Sequence, residues 1–420
     1  MTPPFPGDPL QAGPLQARTV ALEPGAVVDL LEVCGERGVL FERDGAGLAG
    51  HGCALSIDLP DGLCDPAGAA AIVATALAGI ESDDEVGRPG CGPVAFGALP
   101  FERGVAGRLV VPATIVGRAA DGTTWLTTVG PQTPEPPHGP RQLAPDAFTL
   151  TSVVPHEAWC KSVHDAIVAI QDGRVGKVVL AREVLVEANR PIIASEVLGR
   201  LRSLYPSCLV FSVDGFVGAS PELLIQRFGA EVRSHPLAGT VARSGDPVAD
   251  ERLAARLLAS GKDRREHTYV VDAVAGVLGT VCERLEVPAN PSILNLRNVT
   301  HLATLIEGRL AGPAHDRPTA LGLAAALHPT PAVGGTPTDI ALEVISELEP
   351  MVRGHYAGPV GWVDARGDGQ WAVGIRCAEL QGHRARLVAG VGLVAGSVPE
   401  LELAETQLKL QALLAAVVRP

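Results

Sequence analysis

Apolar positions recur at helical or strand spacing along most of the chain. Asp65 to Ile80 is an Ala-rich run that reads as one helix, and Trp159, Val163, Ile167 and Ile170 share one face of another. Lys177 to Val186 is dense in Val and Leu and reads as a strand. Ser195 to Leu204 reads as a short helix with Ser195 as its N-cap. Leu209 to Phe228 reads as a hairpin turning at Asp214-Gly215, and Val232 to Val241 continues extended. Asp263 to Leu285 reads as a long amphipathic helix, Ile293 to Leu310 as strand, and Asp339 to Met351 as helix. His328 to Pro337, with three prolines and two glycines, is a loop. Val360–Asp364 and Trp371–Glu379 pair as a hairpin around Gly367-Asp-Gly369; Leu387–Val394 is a strand and Pro399–Val418 the closing helix. Helices and hairpins alternate without repeated βαβ units. The fold class is therefore α+β, a layered sandwich of mostly antiparallel sheets with helices packed on them.

Residues 1–17, rich in Pro and Gly, read as an arm, and residues 18–129 mix short strands with the Ala-rich helix. Five prolines between Gly130 and Pro140 fit neither a helix interior nor a central strand. This linker separates an N-terminal subdomain, 1–150, from a larger region, 151–420.

Composition narrows the function. The 420 residues are 46% apolar and 19% charged, an ordinary globular balance. Lys and Arg total 34 and Asp and Glu 47, so the net charge is 34 − 47 = −13. A nucleic-acid surface would need a basic patch, so none is expected; a local cation cluster for a small anionic substrate stays open. The longest largely apolar run, Ala67 to Ile80, has 14 residues, short of the roughly 20 a membrane span needs. The N-terminus lacks a basic start and an apolar stretch, so no signal peptide is expected. The eight scattered cysteines form no CxxC and suit reduced thiols of a cytoplasmic protein.

Several groups could carry chemistry. Asp263 and Glu266 share a helix face at i, i+3, and so do Glu402 and Glu405. Facing each other, such carboxylates would suit a hard cation such as Mg²⁺. The same spacing describes two solvated faces, with Lys262 and Lys409 as surface partners. Lys177 opens a strand and is either a surface residue or a desolvated general base. Gly218-Ala-Ser-Pro-Glu222 starts like a nucleophile elbow, but Pro221 removes an N–H that an oxyanion hole would need. Glu222 is then either a buried acid or a salt-bridged strand end. His301 is a core histidine by default. Arg376, between Ile375 and Cys377 in the second strand of a hairpin, needs an anion: a substrate carboxylate or a buried ion-pair partner.

Taken in order, the motifs of residues 155–415 resemble the chorismate-binding enzymes. They include Lys177-Val-Val-Leu-Ala-Arg182, Gly218-Ala-Ser-Pro-Glu-Leu223, Pro236-Leu-Ala-Gly-Thr240, Lys262-Asp-Arg-Arg-Glu-His267, His328-Pro-Thr-Pro-Ala332, Tyr356-Ala-Gly-Pro-Val-Gly-Trp362, Ile375-Arg-Cys-Ala378, Ala389-Gly-Val-Gly392 and Glu402-Leu-Ala-Glu-Thr406 with Lys409. The resemblance implies Glu266 and Glu405 as Mg²⁺ carboxylates, with Asp263 and Glu402 beside them. It implies Tyr356, Arg376 and the Gly390 backbone as holders of the enolpyruvyl carboxylate, helped by Lys409. Gly239, Thr240 and His301 match pocket positions near the ring. Lys177 would activate water for attack at ring carbon 2, and Glu222 would protonate the hydroxyl leaving carbon 4. That division requires a neutral lysine and a protonated glutamate, both of which burial favours.

Within the family, three features resemble isochorismate synthases. Lys177 occupies a position where the ammonia-using members typically lack lysine. Ala238 stands where some aminodeoxychorismate synthases carry a nucleophilic lysine. Ala332 stands where salicylate and anthranilate synthases tend to have threonine. The sequence thus implies a monomeric, cytoplasmic enzyme that needs no glutaminase subunit and serves siderophore, menaquinone or another specialised biosynthesis. The alternatives are a salicylate synthase, which would also eliminate pyruvate, and an ammonia-using aminochorismate or anthranilate synthase component.

Overall fold

The computed structural model describes residues 14–23, 25–131 and 143–418. Most of the linker therefore lies outside the described residues. Strand Gln16–Ala21 begins inside the expected arm. Among the described residues there is a thirteen-stranded sheet, a nine-stranded sheet and a small three-stranded one. Pairing is antiparallel except between Gln16–Ala21 and Glu81–Asp84, which run parallel. Strands before residue 130 supply six of the thirteen and three of the nine. No described helix is long and apolar enough to cross a membrane.

The central strands of the larger sheet are buried on both faces, which explains their unbroken apolar runs. Phe41, Phe211 and Phe216 point into a core shared with Phe96, Trp362 and Trp371 of the second sheet. Their neighbours Leu40, Val210 and Val217 point the other way, toward helices Leu30–Cys34, Ala194–Leu204 and Pro399–Val417. This is the period-two alternation of a strand, used here to fill two cores.

Two expected hairpins are shorter than the sequence suggests, and the difference builds the site. Leu209–Val213 and Phe216–Ser220 do pair around Asp214-Gly215, where both residues take positive φ. After Ser220, however, the chain leaves the larger sheet, and Leu223–Phe228 joins the smaller one. Gly369–Val373 lies in the smaller sheet and Cys377–Gln381 in the larger. Two paired strands thus cross between the sheets together: Phe216–Ser220 pairs with Cys377–Gln381, and Leu223–Phe228 with Gly369–Val373. Glu222 and Arg376 sit at the two crossings. Arg376 is therefore not within a strand; its φ of 53° bends the chain from one sheet to the other.

Other boundaries also moved. The expected Asp263–Leu285 helix is Gly261–Gly279, and Cys282–Glu286 is a strand paired with Ile306–Leu310. A further helix, Pro247–Ala259, precedes it, capped by Asp246, which accepts from the amides of Val248 and Ala249. Ser195 is not an N-cap. The carboxylate of Glu36, distant in sequence, accepts from the amides of Ala194 and Ser195 instead.

Candidate active site

A cavity of about 80 Å³ opens where the two crossings meet the Gly261–Gly279 and Pro399–Val417 helices. Of the residues singled out from the sequence, Glu222, Gly239, Thr240, Glu266, His301, Ala332, Tyr356, Arg376, Gly390, Glu405 and Lys409 line it. Lys177, Asp263 and Glu402 do not.

Lys177 is fully buried at the start of strand Lys177–Ala188, immediately behind the wall. Its Nζ lies 3.1 Å from Glu266 Oε1, an ion pair without hydrogen-bond geometry. Glu266 therefore stands between Lys177 and the cavity. Gly392 permits the arrangement: a Cβ there would lie 2.2 Å from Glu266 Oε1 and 3.0 Å from Lys177 Cε.

Glu222 is buried at the first crossing. Burial pushes its carboxyl up to about 8, although the charge of Lys177 and an amide hydrogen bond from Leu237 act in the opposite direction. It is thus mostly protonated at neutral pH, as a proton donor must be.

Arg376 has no ion-pair partner among the described residues, and its Nη1 is buried without a hydrogen bond. Burial acts against its charge. A guanidinium in this state is an anion site awaiting an anion. Its Nη2 lies 3.4 Å from His301 Nε2. His301 Nδ1 is 3.2 Å from the Gly239 carbonyl, which can only accept, so Nδ1 carries the proton and Nε2 accepts from Arg376. Burial, then the charges of Arg376 and Lys409, lower His301 to about 3, so it stays neutral. Tyr356 is buried, and the absence of a side chain at Gly390 admits its hydroxyl; a Cβ there would lie 2.9 Å from Oη. Lys409 Nζ donates to the Gly390 carbonyl at 2.9 Å and pairs with Glu405 at 2.7 Å, one helical turn away.

Of the four carboxylates, two share the cavity. Glu402 is buried, pairs with Lys262 at 3.3 Å, and is raised by burial. Asp263 packs its Cβ toward Gly239, whose φ of 73° and lack of a side chain allow that approach. Among the described residues no three His, Cys, Asp or Glu side chains converge as a metal cage. Two cavity carboxylates still suit Mg²⁺, which takes one or two protein carboxylates and completes its shell with water and substrate oxygens.

The chorismate binding enzyme family matches residues 114–418. The chain belongs to this family. The match starts some forty residues before the motifs at 155. The isochorismate synthase DhbC of Bacillus subtilis is 42% identical over 336 residues, 77% of this chain and 81% of that one. The MenF protein of Mycobacterium tuberculosis is 40% identical over 385 residues, 88% of this chain and 99% of its own. The crystal structure of DhbC from Bacillus anthracis superposes with a TM-score of 0.78 at 36% identity, covering 93% of this chain and 99% of that one.

The motifs contain most of the cavity's lining, but the part played by Gly392 and a buried brace behind the cavity were not singled out. Gly392 had a signal, as the second glycine of a strand motif. The brace is Arg353, whose Nη1 and Nη2 donate to the carbonyls of Val333 and Val179, at 2.7 and 2.8 Å, and which pairs with Glu349 at 2.5 Å. Glu349 in turn accepts from the amide of Ala181 at 2.7 Å. The pair ties the Lys177 strand to the loop carrying Ala332. An arginine four residues after a glutamate at a helix end carries no signal of burial.

Proposed function

We propose that the chain is an isochorismate synthase, converting chorismate to isochorismate without a glutaminase partner and as a monomer. The observation that carries this is the combination, in one cavity, of a buried carboxyl held protonated and a guanidinium with no anion of its own. Chorismate is a dianion with a hydroxyl to be lost. Arg376, with the Tyr356 hydroxyl and the Gly390 backbone, receives the enolpyruvyl carboxylate. Neutral His301 and Thr240 face the ring. Glu222 gives its proton to the hydroxyl leaving carbon 4, which departs as water. Lys177, once it has given up its own proton and is the neutral amine, takes a proton from the water that attacks carbon 2 and becomes ammonium, and the ring double bonds shift between the two events. For this the Glu266 carboxylate must turn from Lys177 toward the cavity, the same turn its role as a ligand demands. Glu266 and Glu405 would hold Mg²⁺, with Asp263 and Glu402 behind them. A bound Mg²⁺ would supply positive charge for the ring carboxylate.

The test is a single incubation of the purified chain with chorismate and Mg²⁺, with and without ammonium, and with EDTA. An isomer of chorismate made without ammonium and lost with EDTA supports the proposal. Salicylate plus pyruvate as end products, or product only with ammonium, overturns it.

A further inference from the structure

A second cavity, of about 200 Å³, shares no lining residue with the first. One wall is apolar: Val73 and Leu77 of helix Pro66–Ala78, and Leu321 of helix Ala320–Leu327. The other wall carries Arg227, Arg317 and Arg366.

Among the described residues, two of these three arginines make no ion pair. Arg227 is buried, and its Nε and Nη1 donate only to the carbonyls of Gly229 and Arg366, at 3.1 and 3.2 Å. Nearby Asp368 accepts from the Gly229 amide at 2.7 Å and makes no ion pair with Arg227. Arg317 has no ion pair among the described residues, and its Nε is buried without a hydrogen bond. Arg366 does have carboxylates, Asp364 at 3.4 Å and Asp84 at 3.7 Å. Asp364 already accepts from the amides of Gly90, Arg366 and Asp368. Arg227 and Arg317 thus line the cavity without an ion pair of their own, because Asp364, which also lines it, is engaged by these amides and by Arg366. The turn beside them is shaped around this charge. A Cβ on Gly367, φ 79°, would lie 2.2 Å from Arg227 Nη1.

An arginine pair without an ion pair of its own, beside an apolar wall, suits a carboxylate attached to an apolar body. We propose that this cavity is a second ligand site, for a small amphipathic carboxylate of aromatic or branched aliphatic type. Its carboxylate lies between Arg317 and Arg227, and its body lies on Val73, Leu77 and Leu321.

Benzoate is the probe, with benzamide as the uncharged control and inorganic phosphate as the anion without an apolar body. Calorimetric titration of the full chain is done in an Arg376→Ala background, which removes the carboxylate site of the first cavity. Benzoate is expected to bind with a stoichiometry of one. Adding Arg317→Met should weaken it at least tenfold, and Ala74→Phe, at a position that lines the cavity beside Val73, should fill the apolar side and abolish it. Both positions are partly exposed, and unchanged melting temperatures confirm that the variants are folded. A crystal of the unaltered chain soaked in 3-bromobenzoate locates the bromine directly, and a peak beside Leu77 is expected. The proposal fails if bromine appears only beside Arg376, if benzoate binding survives both added substitutions, or if phosphate or benzamide binds as tightly as benzoate.

Discussion

Replacing Glu222 with Gln keeps the size and polarity of the side chain and removes its proton-donating function. The structure sets the scale of the effect. Burial raises the carboxyl from 4.5 to about 8, which corresponds to about 5 kcal/mol against the ionised form. At pH 7 roughly nine in ten copies then hold the proton, against well under one in a hundred for an ordinary carboxyl. A positioned general acid contributes about 10²–10⁴ in rate, so kcat for Glu222→Gln should fall by that factor while chorismate still binds. In the unaltered enzyme kcat should decline as pH rises through about 8, because the ionised form cannot donate. The variant should lose that limb. Stability carries the same sign. The folded value lies above the unfolded one, so the contribution is full below about 4.5, falls as pH rises, and is gone above about 8. The variant should therefore lose less stability than the parent between pH 5 and about 8. The assay is chromatographic product formation from pH 6 to about 9.5, paired with urea melts. Near-parental kcat in the variant, or an unchanged alkaline limb, would refute the acid assignment.

Four further outcomes follow from the same geometry. Arg376→Gln should raise KM for chorismate about 100-fold or more, with little loss of melting temperature, because the guanidinium has no ion pair to break. Gly392→Ala should cut kcat at least about 100-fold in steady-state assays, since its methyl group would occupy the space where Lys177 and Glu266 meet. Glu266→Gln and Glu405→Gln should each steeply raise the Mg²⁺ concentration for half-maximal rate; an unchanged metal titration would remove them as ligands. Arg353→Met should cost about 3–5 kcal/mol in urea unfolding by leaving Glu349 buried without its partner, and Arg353→Met with Glu349→Leu should recover much of it.

How much of this was legible depended on what each signal encodes. Periodicity located the His156–Gln171 helix and its buried face, because Trp159, Val163 and Ile167 follow one stripe. It could not show that Phe211 and Val210 serve two different cores, since a strand buried on both faces is simply apolar. Nor could it show the crossings. Apolar residues continue through Leu223 and Ile375 although the chain changes sheets, and only the backbone bend at Arg376 marks the change. The acidic spacings placed Glu266 and Glu405 on helices but could not separate them from Asp263 and Glu402; the family motifs did, and in the fold these two line the cavity. Lys177 was read from the resemblance as the base that activates water; its contact with Glu266, which depends on a glycine 215 residues later in the chain, carried no signal in the sequence.

The central claim is that water adds at carbon 2 as the carbon 4 hydroxyl leaves, with Glu222 as the donor. It is tested most directly by running the reaction with chorismate and Mg²⁺ in H₂¹⁸O and weighing the product. The account predicts an isomer of chorismate two mass units heavier, with the label on the ring. An unlabelled isomer, or no isomer at all, would contradict it.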